Sequence, residues 1–222
     1  MKLRNYLRAL TLSFTILFAF SSHAETLKAS DGKEYSSKLK LVSETLDGDK
    51  YATVTGRALL KGQLGAPITV TVTTDRLLEW VHDLNYAEVL KIDAPNDQTL
   101  YMRFNAPLTL DDRDGYVRFV GSQEGDNVFI MTLVEQTNYP ENPDAVRATD
   151  FRGQFRIEQV TEDRMALEFK LHYNPHASPV FAANSNTKQI VKKTMKKFKK
   201  LTEGEFKDAE IPMDLAQALA AK

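Results

Sequence analysis

The sequence predicts an α+β fold in which one long, curved antiparallel β-sheet closes on a single long C-terminal α-helix. Three observations predict it. Strand-like segments follow one another with short polar turns between them as far as residue 174, which is the pattern of an antiparallel meander. The one long helical periodicity comes after them, and short helical spacing occurs only near residues 77–84.

The chain of 222 residues opens MKLRNYLRALTLSFTILFAFSSHAET, with a basic start (Lys2, Arg4, Arg8), an apolar run from Ala9 to Phe20, and Ser22 and Ala24 on either side of His23. This is the pattern of a secretory signal cleaved after Ala24. The competing reading is an uncleaved anchor, but a run of 12 residues falls short of the roughly 20 that cross a bilayer. A protein of a bacterial periplasm or exterior is therefore expected. The absence of cysteine excludes a lipidated cysteine, a disulfide framework and a thiolate metal site. Removing residues 1–24 takes away three positive charges and no acid, so the net charge of −1 becomes −4. That balance argues against nucleic acid as a partner. The remaining residues suit one domain with room for a core and a cavity.

Residues 25–37 read as a polar lead-in, 38–203 as the domain, and 204–222 as a tail that ends in a short helix or frays. SKLKLVSET and YATVTGRALLKG alternate as two strands joined at LDGDK. APITVTVT sets Ile68, Val70 and Val72 against threonines and reads as a third strand. TTDRLLEWVHDL changes to helical spacing at Leu77, Leu78, Val81 and Leu84, with Thr73, Thr74 or Asp75 as N-cap. AEVLKIDAP, QTLYMRFNAP, GYVRFVGSQE, DNVFIMTLVEQ, DAVRATDFRGQFRIEQVT and DRMALEFKLHYNP supply six more strands. From Pro179 to Thr202 the spacing is helical, with Ile190, Val191, Met195, Phe198 and Leu201 on one face and seven lysines between 188 and 200 on the other.

A sheet of this many strands curls as its twist accumulates, and one helix does not cover its inner face. The space left over is a cavity. Alternation names its wall: Leu100, Met102 and Phe104; Phe155 and Ile157; Leu167, Phe169, Leu171 and Tyr173. Trp80 of the first helix, with Phe181 and Ile190 of the last, completes the apolar candidates. The same residues also fit a plain packed core.

In order along the chain come LLEWVHDLNYAEVLKI, then D-x-x-x-L-Y at Asp97–Tyr101, P-x-x-x-x-D-R-D at Pro107–Asp114, AVRATDFRGQFRIEQV, and HYNPHASPVFAANSNTKQIVKKTMKKF. This series over residues 38–203 resembles the START lipid-transfer domain, a bacterial secreted member of the helix-grip superfamily. HASPVFAANS departs from the Gly-rich turn and Leu-Pro pair of many members. The resemblance implies a sheet gripping a C-terminal helix over a tunnel, a lipid or sterol-like ligand, one copy of the chain, no cofactor and no covalent chemistry. It maps the family's Arg-Asp pair at the start of a central strand onto Arg113 and Asp114, and a second arginine onto Arg147.

A charge aimed into an apolar tunnel needs a partner. An inward Arg113 would therefore pair with Asp114, Asp112 or an acid on a neighbouring strand, and Arg113 or Arg147 would anchor a polar head. The alternative places Asp111, Asp112, Arg113 and Asp114 in a solvated turn. The lysine face is either a solubilising surface or, through Lys192, Lys193, Lys196, Lys197 and Lys200, a contact for an anionic membrane.

No nucleophile motif, P-loop or H-E-x-x-H site occurs, and no metal is expected. His172 and His176 read as solvated. The expected function is non-catalytic binding or transfer of a hydrophobic ligand. A cyclase- or hydrolase-type enzyme of the same superfamily is the alternative, with Asp114, Tyr101 or Tyr173 as its titratable group. An interaction module with a filled core is a third reading.

Overall fold

A computed structural model describes residues 24–106 and 110–221. The signal-like segment before Ala24 and Pro107–Thr109 of the P-x-x-x-x-D-R-D series lie outside the described residues. The elements in chain order are β1 (Thr26–Lys28), β2 (Glu34–Ser36), β3 (Lys40–Glu44), β4 (Thr53–Lys61), α1 (Gly65–Val72) and α2 (Leu77–Trp80). Then follow β5 (Leu84–Ala94), β6 (Asp97–Phe104), β7 (Arg113–Glu124), β8 (Val128–Glu135), β9 (Val146–Arg147), β10 (Thr149–Thr161), β11 (Arg164–Asn174), α3 (Val180–Thr202) and α4 (Met213–Ala220).

Nine strands form one sheet in the order β3-β4-β11-β10-β8-β7-β6-β5, with β9 added beside β7. All pairings are antiparallel except the two-residue parallel step that sets Val146 against Arg113 and Arg147 against Asp114. Because β4 lies next to the β3 edge and β5 forms the opposite edge, the chain must cross between them. It does so through α1 and α2, which pack against α3 on the concave side. The α+β architecture, with a curved sheet around a long last helix, agrees with the sequence pattern.

Four local expectations are corrected. APITVTVT is helical, not extended. Ile68, Val70 and Thr71 are all buried, which a two-residue alternation does not allow. Pro67 sits in the first turn, where its missing N–H goes unused, and Thr71 Oγ1 and Thr73 Oγ1 donate to Ile68 O (2.7 Å) and Thr69 O (2.6 Å). Threonine hydroxyls thus bond back to the helix, and packing outweighs β-propensity.

The next helix is shorter than its spacing suggests. A 3₁₀ turn at Thr74–Arg76 leads into α2, Val81 is extended, Leu84 already belongs to β5, and no side chain caps either segment. AVRATDFRGQ is broken between β9 and β10, where Asp150 takes a positive φ of 54°. Residues 25–37 form the β1–β2 hairpin and not a loose lead-in. Tyr35 is 1% exposed, and Ser30 donates through its N–H and Oγ to the two oxygens of Glu158 (both 2.8 Å) on the outer face of the sheet.

The tail ends in α4, which lies against β7 with Leu215 and Leu219 buried. Helix α3 approaches the sheet most closely at β4. A Cβ on Gly56 would stand 2.1 Å from Met195 Sδ and 3.1 Å from Val191 Cγ1, so the absence of a side chain there lets the helix lie flat. At the centre, Phe155 stacks on Phe169 (centroids 4.0 Å), and Trp80 meets Phe198 edge-on at 5.2 Å and Phe155 at 5.8 Å. Each such pair contributes on the order of 1 kcal/mol beyond simple burial. This aromatic cluster fixes where the solid core ends.

Candidate ligand cavity

Beyond the aromatic cluster the concave face is not filled. A cavity of about 140 Å³ lies between β6, β7, β8, β10 and β11 on one side and α2 and α3 on the other. Its floor is apolar: Trp80, Met102, Val117, Phe119, Leu133, Phe155, Phe169 and Leu171, with Ile190 from the helix. Toward its mouth lie Phe104, Asn105, Ala106, Leu110, Arg113, Tyr173, Ser178, Pro179, Ala182 and Asn186.

Of the residues nominated from sequence, Trp80, Met102, Phe104, Arg113, Phe155, Phe169, Leu171, Tyr173 and Ile190 line this space. Leu100, Ile157 and Leu167 do not. They are fully buried in the packed core, since alternation finds the inner face but not where along it the solid packing stops. Phe181 is also outside the cavity. It points away from the sheet and is 77% exposed, at the first turn of α3. Val117 and Phe119 belong to the same alternation and were readable in GYVRFV. Asn186 and Thr194, polar residues on the inner side of α3, carried no such signal.

The charged series resolves into separate pairings. Asp114 is 1% exposed and answers not Arg113 but Arg147, whose Nε and Nη2 donate to its oxygens at 2.8 and 3.1 Å. This follows from register: Arg147 is the residue that the short β9 places beside Asp114. Arg147 also donates to Pro140 O (2.8 Å), and its guanidinium lies 4.7 Å from the Tyr116 ring centroid. The pairing with Asp114 raises its pKa further. Arg147 is therefore a strut outside the cavity and not part of its lining.

Asp112 pairs with Arg103 (3.3 Å) and accepts from Asn85 Nδ2 (2.8 Å). Arg113, expected to hold a carboxylate, holds none among the described residues. Its Nε donates to Pro175 O at 2.9 Å and its Nη1 to Asp111 O. With Arg113 and Asp114 opening β7, the solvated-turn reading of the four charges does not hold for these two.

Of the titratable groups nominated for catalysis, Asp114 and Tyr173 border the cavity, and burial pushes the Tyr173 hydroxyl pKa up. Tyr101 is outside the lining, its hydroxyl accepting from Asn142 Nδ2 at 2.6 Å, and burial raises its pKa. His172 is buried rather than solvated. Its Nδ1 lies 3.2 Å from Thr53 Oγ1 and 3.6 Å from Asp49 Oδ2, and desolvation lowers its pKa. His176, four residues on, instead meets Thr149 Oγ1 at 2.9 Å. No group of three or more potential metal ligands occurs among the described residues.

On the outer face of α3, Lys193, Lys196, Lys197 and Lys200 are exposed and Lys192 is half-buried. Lys199 turns inward to Leu59 O (2.6 Å) and pairs with Glu203 (2.8 Å). No described helix is long and apolar enough to cross a membrane.

No protein-family model matches the chain, and no curated protein matches it. Solved structures do. A STAR-related lipid transfer protein fragment from Xanthomonas axonopodis is similar at 20% identity and TM-score 0.67, over 82% of this chain and 99% of that one. The chain has the fold of a START domain. Human STARD10 matches at 16% identity and TM-score 0.65, over 81% of this chain and 73% of that one. Human StAR-related lipid transfer protein 5 matches at 12% and 0.65, over 82% and 88%. These START-fold relatives share the helix-over-sheet arrangement described here.

The Asp114–Arg147 pair behind this wall is open to a direct test. Arg147→Met leaves the Asp114 carboxylate without its partner, and the expected cost is about 3–5 kcal/mol of stability in urea unfolding. A loss below about 1 kcal/mol would mean that the pair does not hold the strands together.

Proposed function

We propose that this protein binds a lipid or other hydrophobic molecule in the cavity beneath α3 and carries it without covalent chemistry. The observation that supports it is the unfilled apolar space at the centre of an otherwise close-packed fold. A hydrophobic guest gains there about 25 cal/mol per Å² of apolar surface taken out of water. START-fold structures named for lipid transfer add weight to the reading.

The N-terminal pattern of Met1–Ala24 supports export to the periplasm or the exterior. At 140 Å³ the cavity is about the size of an engineered one that admits benzene, below the roughly 300–1,000 Å³ of ligand sites for larger molecules. Loading a long chain therefore needs α3 to move aside. The lysines of α3 give that movement a place. Each contributes on the order of 1 kcal/mol of attraction near an anionic leaflet, so the helix covering the cavity would rest on the surface that supplies the ligand.

Two experiments test these statements. Organic extraction of the purified protein followed by mass spectrometry is expected to release a hydrophobic molecule. Ala183→Phe, which fills the cavity from α3, is expected to remove that molecule while the circular dichroism spectrum is retained. An extract with no such molecule, together with failure of the stripped protein to take up a fluorescent fatty-acid probe, would contradict the binding role. Sedimentation with anionic vesicles is expected to fall steeply with salt, and equal binding to neutral vesicles would end the membrane role of the lysines.

A further inference from the structure

The fold leaves one long edge of the sheet open. β5 ends the strand order, pairs only with β6 among the described residues, and runs for 11 residues. The main-chain N–H and C=O groups along its outer side therefore have no strand to meet. β5 also exposes Tyr86, Val89, Leu90 and Ile92, the last at 65%, whereas no other described strand exposes more than one large apolar side chain. On the concave side this edge borders an open groove of about 350 Å³, between the Val72–Asp75 turn and Ala87, Val89 and Ile92.

Charges on an edge strand ordinarily keep a second copy away. Those of β5 are placed to attract one. The register against β6 shifts between Val89 and Lys91, which sets Glu88 opposite Tyr101 and Lys91 opposite Thr99, so both turn to the convex face. Ala87, Val89 and Ile92, opposite Met102, Leu100 and Gln98, turn to the concave face. A two-fold axis normal to the sheet, passing between Val89 and Leu90, runs two copies of β5 antiparallel. Glu88 of each copy then faces Lys91 of the other on the convex side. Ala87 of each faces Ile92 of the other on the concave side, a small side chain against a large one. Within one chain Glu88 has no cationic partner among the described residues and accepts from the Tyr86 hydroxyl at 3.0 Å, while Lys91 holds Asp93 at 2.7 Å.

We propose that this protein forms a two-fold symmetric dimer through β5, which joins the sheets of two copies into one continuous sheet. Edge pairing supplies the missing main-chain hydrogen bonds, the two Glu88–Lys91 pairs fix the register, and the apolar side chains of β5 are covered. Because the contact uses the same edge on both copies, it closes on itself and does not propagate into a fibre. β5 contributes no residue to the cavity wall or to the lysine face of α3, so dimer formation and ligand binding are separate properties. The dimer departs from the single copy that the family resemblance implies.

The test is sedimentation equilibrium of the purified protein over a range of concentrations, and a reversible monomer–dimer equilibrium is expected. Lys91→Glu brings like charges together on both sides of the axis, as does Glu88→Lys, and each is expected to weaken the dimer roughly ten-fold or more. The double reversal, Glu88→Lys with Lys91→Glu, restores both pairs and is expected to return the dimer to within about three-fold of its original strength. Both positions are exposed, so the circular dichroism spectra of the variants are expected to match that of the unaltered protein. A protein that stays monomeric up to about 1 mM overturns the proposal and leaves the β5 edge to an extended segment of another protein. A dimer indifferent to either single reversal, or not rescued by the double one, overturns it as well, because the contact then lies elsewhere. The measurement on the unaltered protein needs no variant to fold.

Discussion

The structure depends on a mismatch between one helix and one sheet. Nine strands twisted in the same sense make a concave surface longer than α3 covers. Where α3 presses on β4 at Gly56, and where Trp80, Phe155, Phe169 and Phe198 meet, the concavity is filled by side chains. Past that point the same apolar faces continue with nothing opposite them. The cavity is thus the remainder of the fold and not a separate feature added to it. Its chemistry is inherited from strands whose inner residues are apolar for the ordinary reason that they face the core.

Charge is distributed around that remainder in a way that strand register determines. The two-residue parallel step of β9 brings Arg147 to Asp114, on the face of β7 opposite to Arg113. Once that pair forms, the fully buried carboxylate is satisfied and Arg113 is left with carbonyls alone. That pairing ties β9 to β7 behind the cavity wall.

The periodicity of the sequence carries the sheet, the last helix and the apolar wall, because alternation over eight or more residues reports directly on which face meets the core. It misleads at APITVTVT, where the threonines that suggest a solvated strand face instead hydrogen-bond to their own helix. It also cannot separate Leu167, locked in the core, from Phe169 two residues on, which borders empty space. Both project from the same face of β11, and only the position of α3 and the aromatic cluster distinguishes them. The same limit applies to Arg113: Asp112 and Asp114 are both adjacent in sequence, but neighbouring residues of a strand point to opposite faces, and the two-residue β9 step that supplies Arg147 carries no periodicity.

Xenon binding tests the central claim without assuming any ligand. Diffraction from a crystal of the stripped protein pressurised with xenon is predicted to show the atom between α3 and the sheet, against Trp80, Phe155 and Phe169, as a dry apolar cavity requires. Side-chain density filling that region, with no xenon bound inside the sheet, would contradict the account.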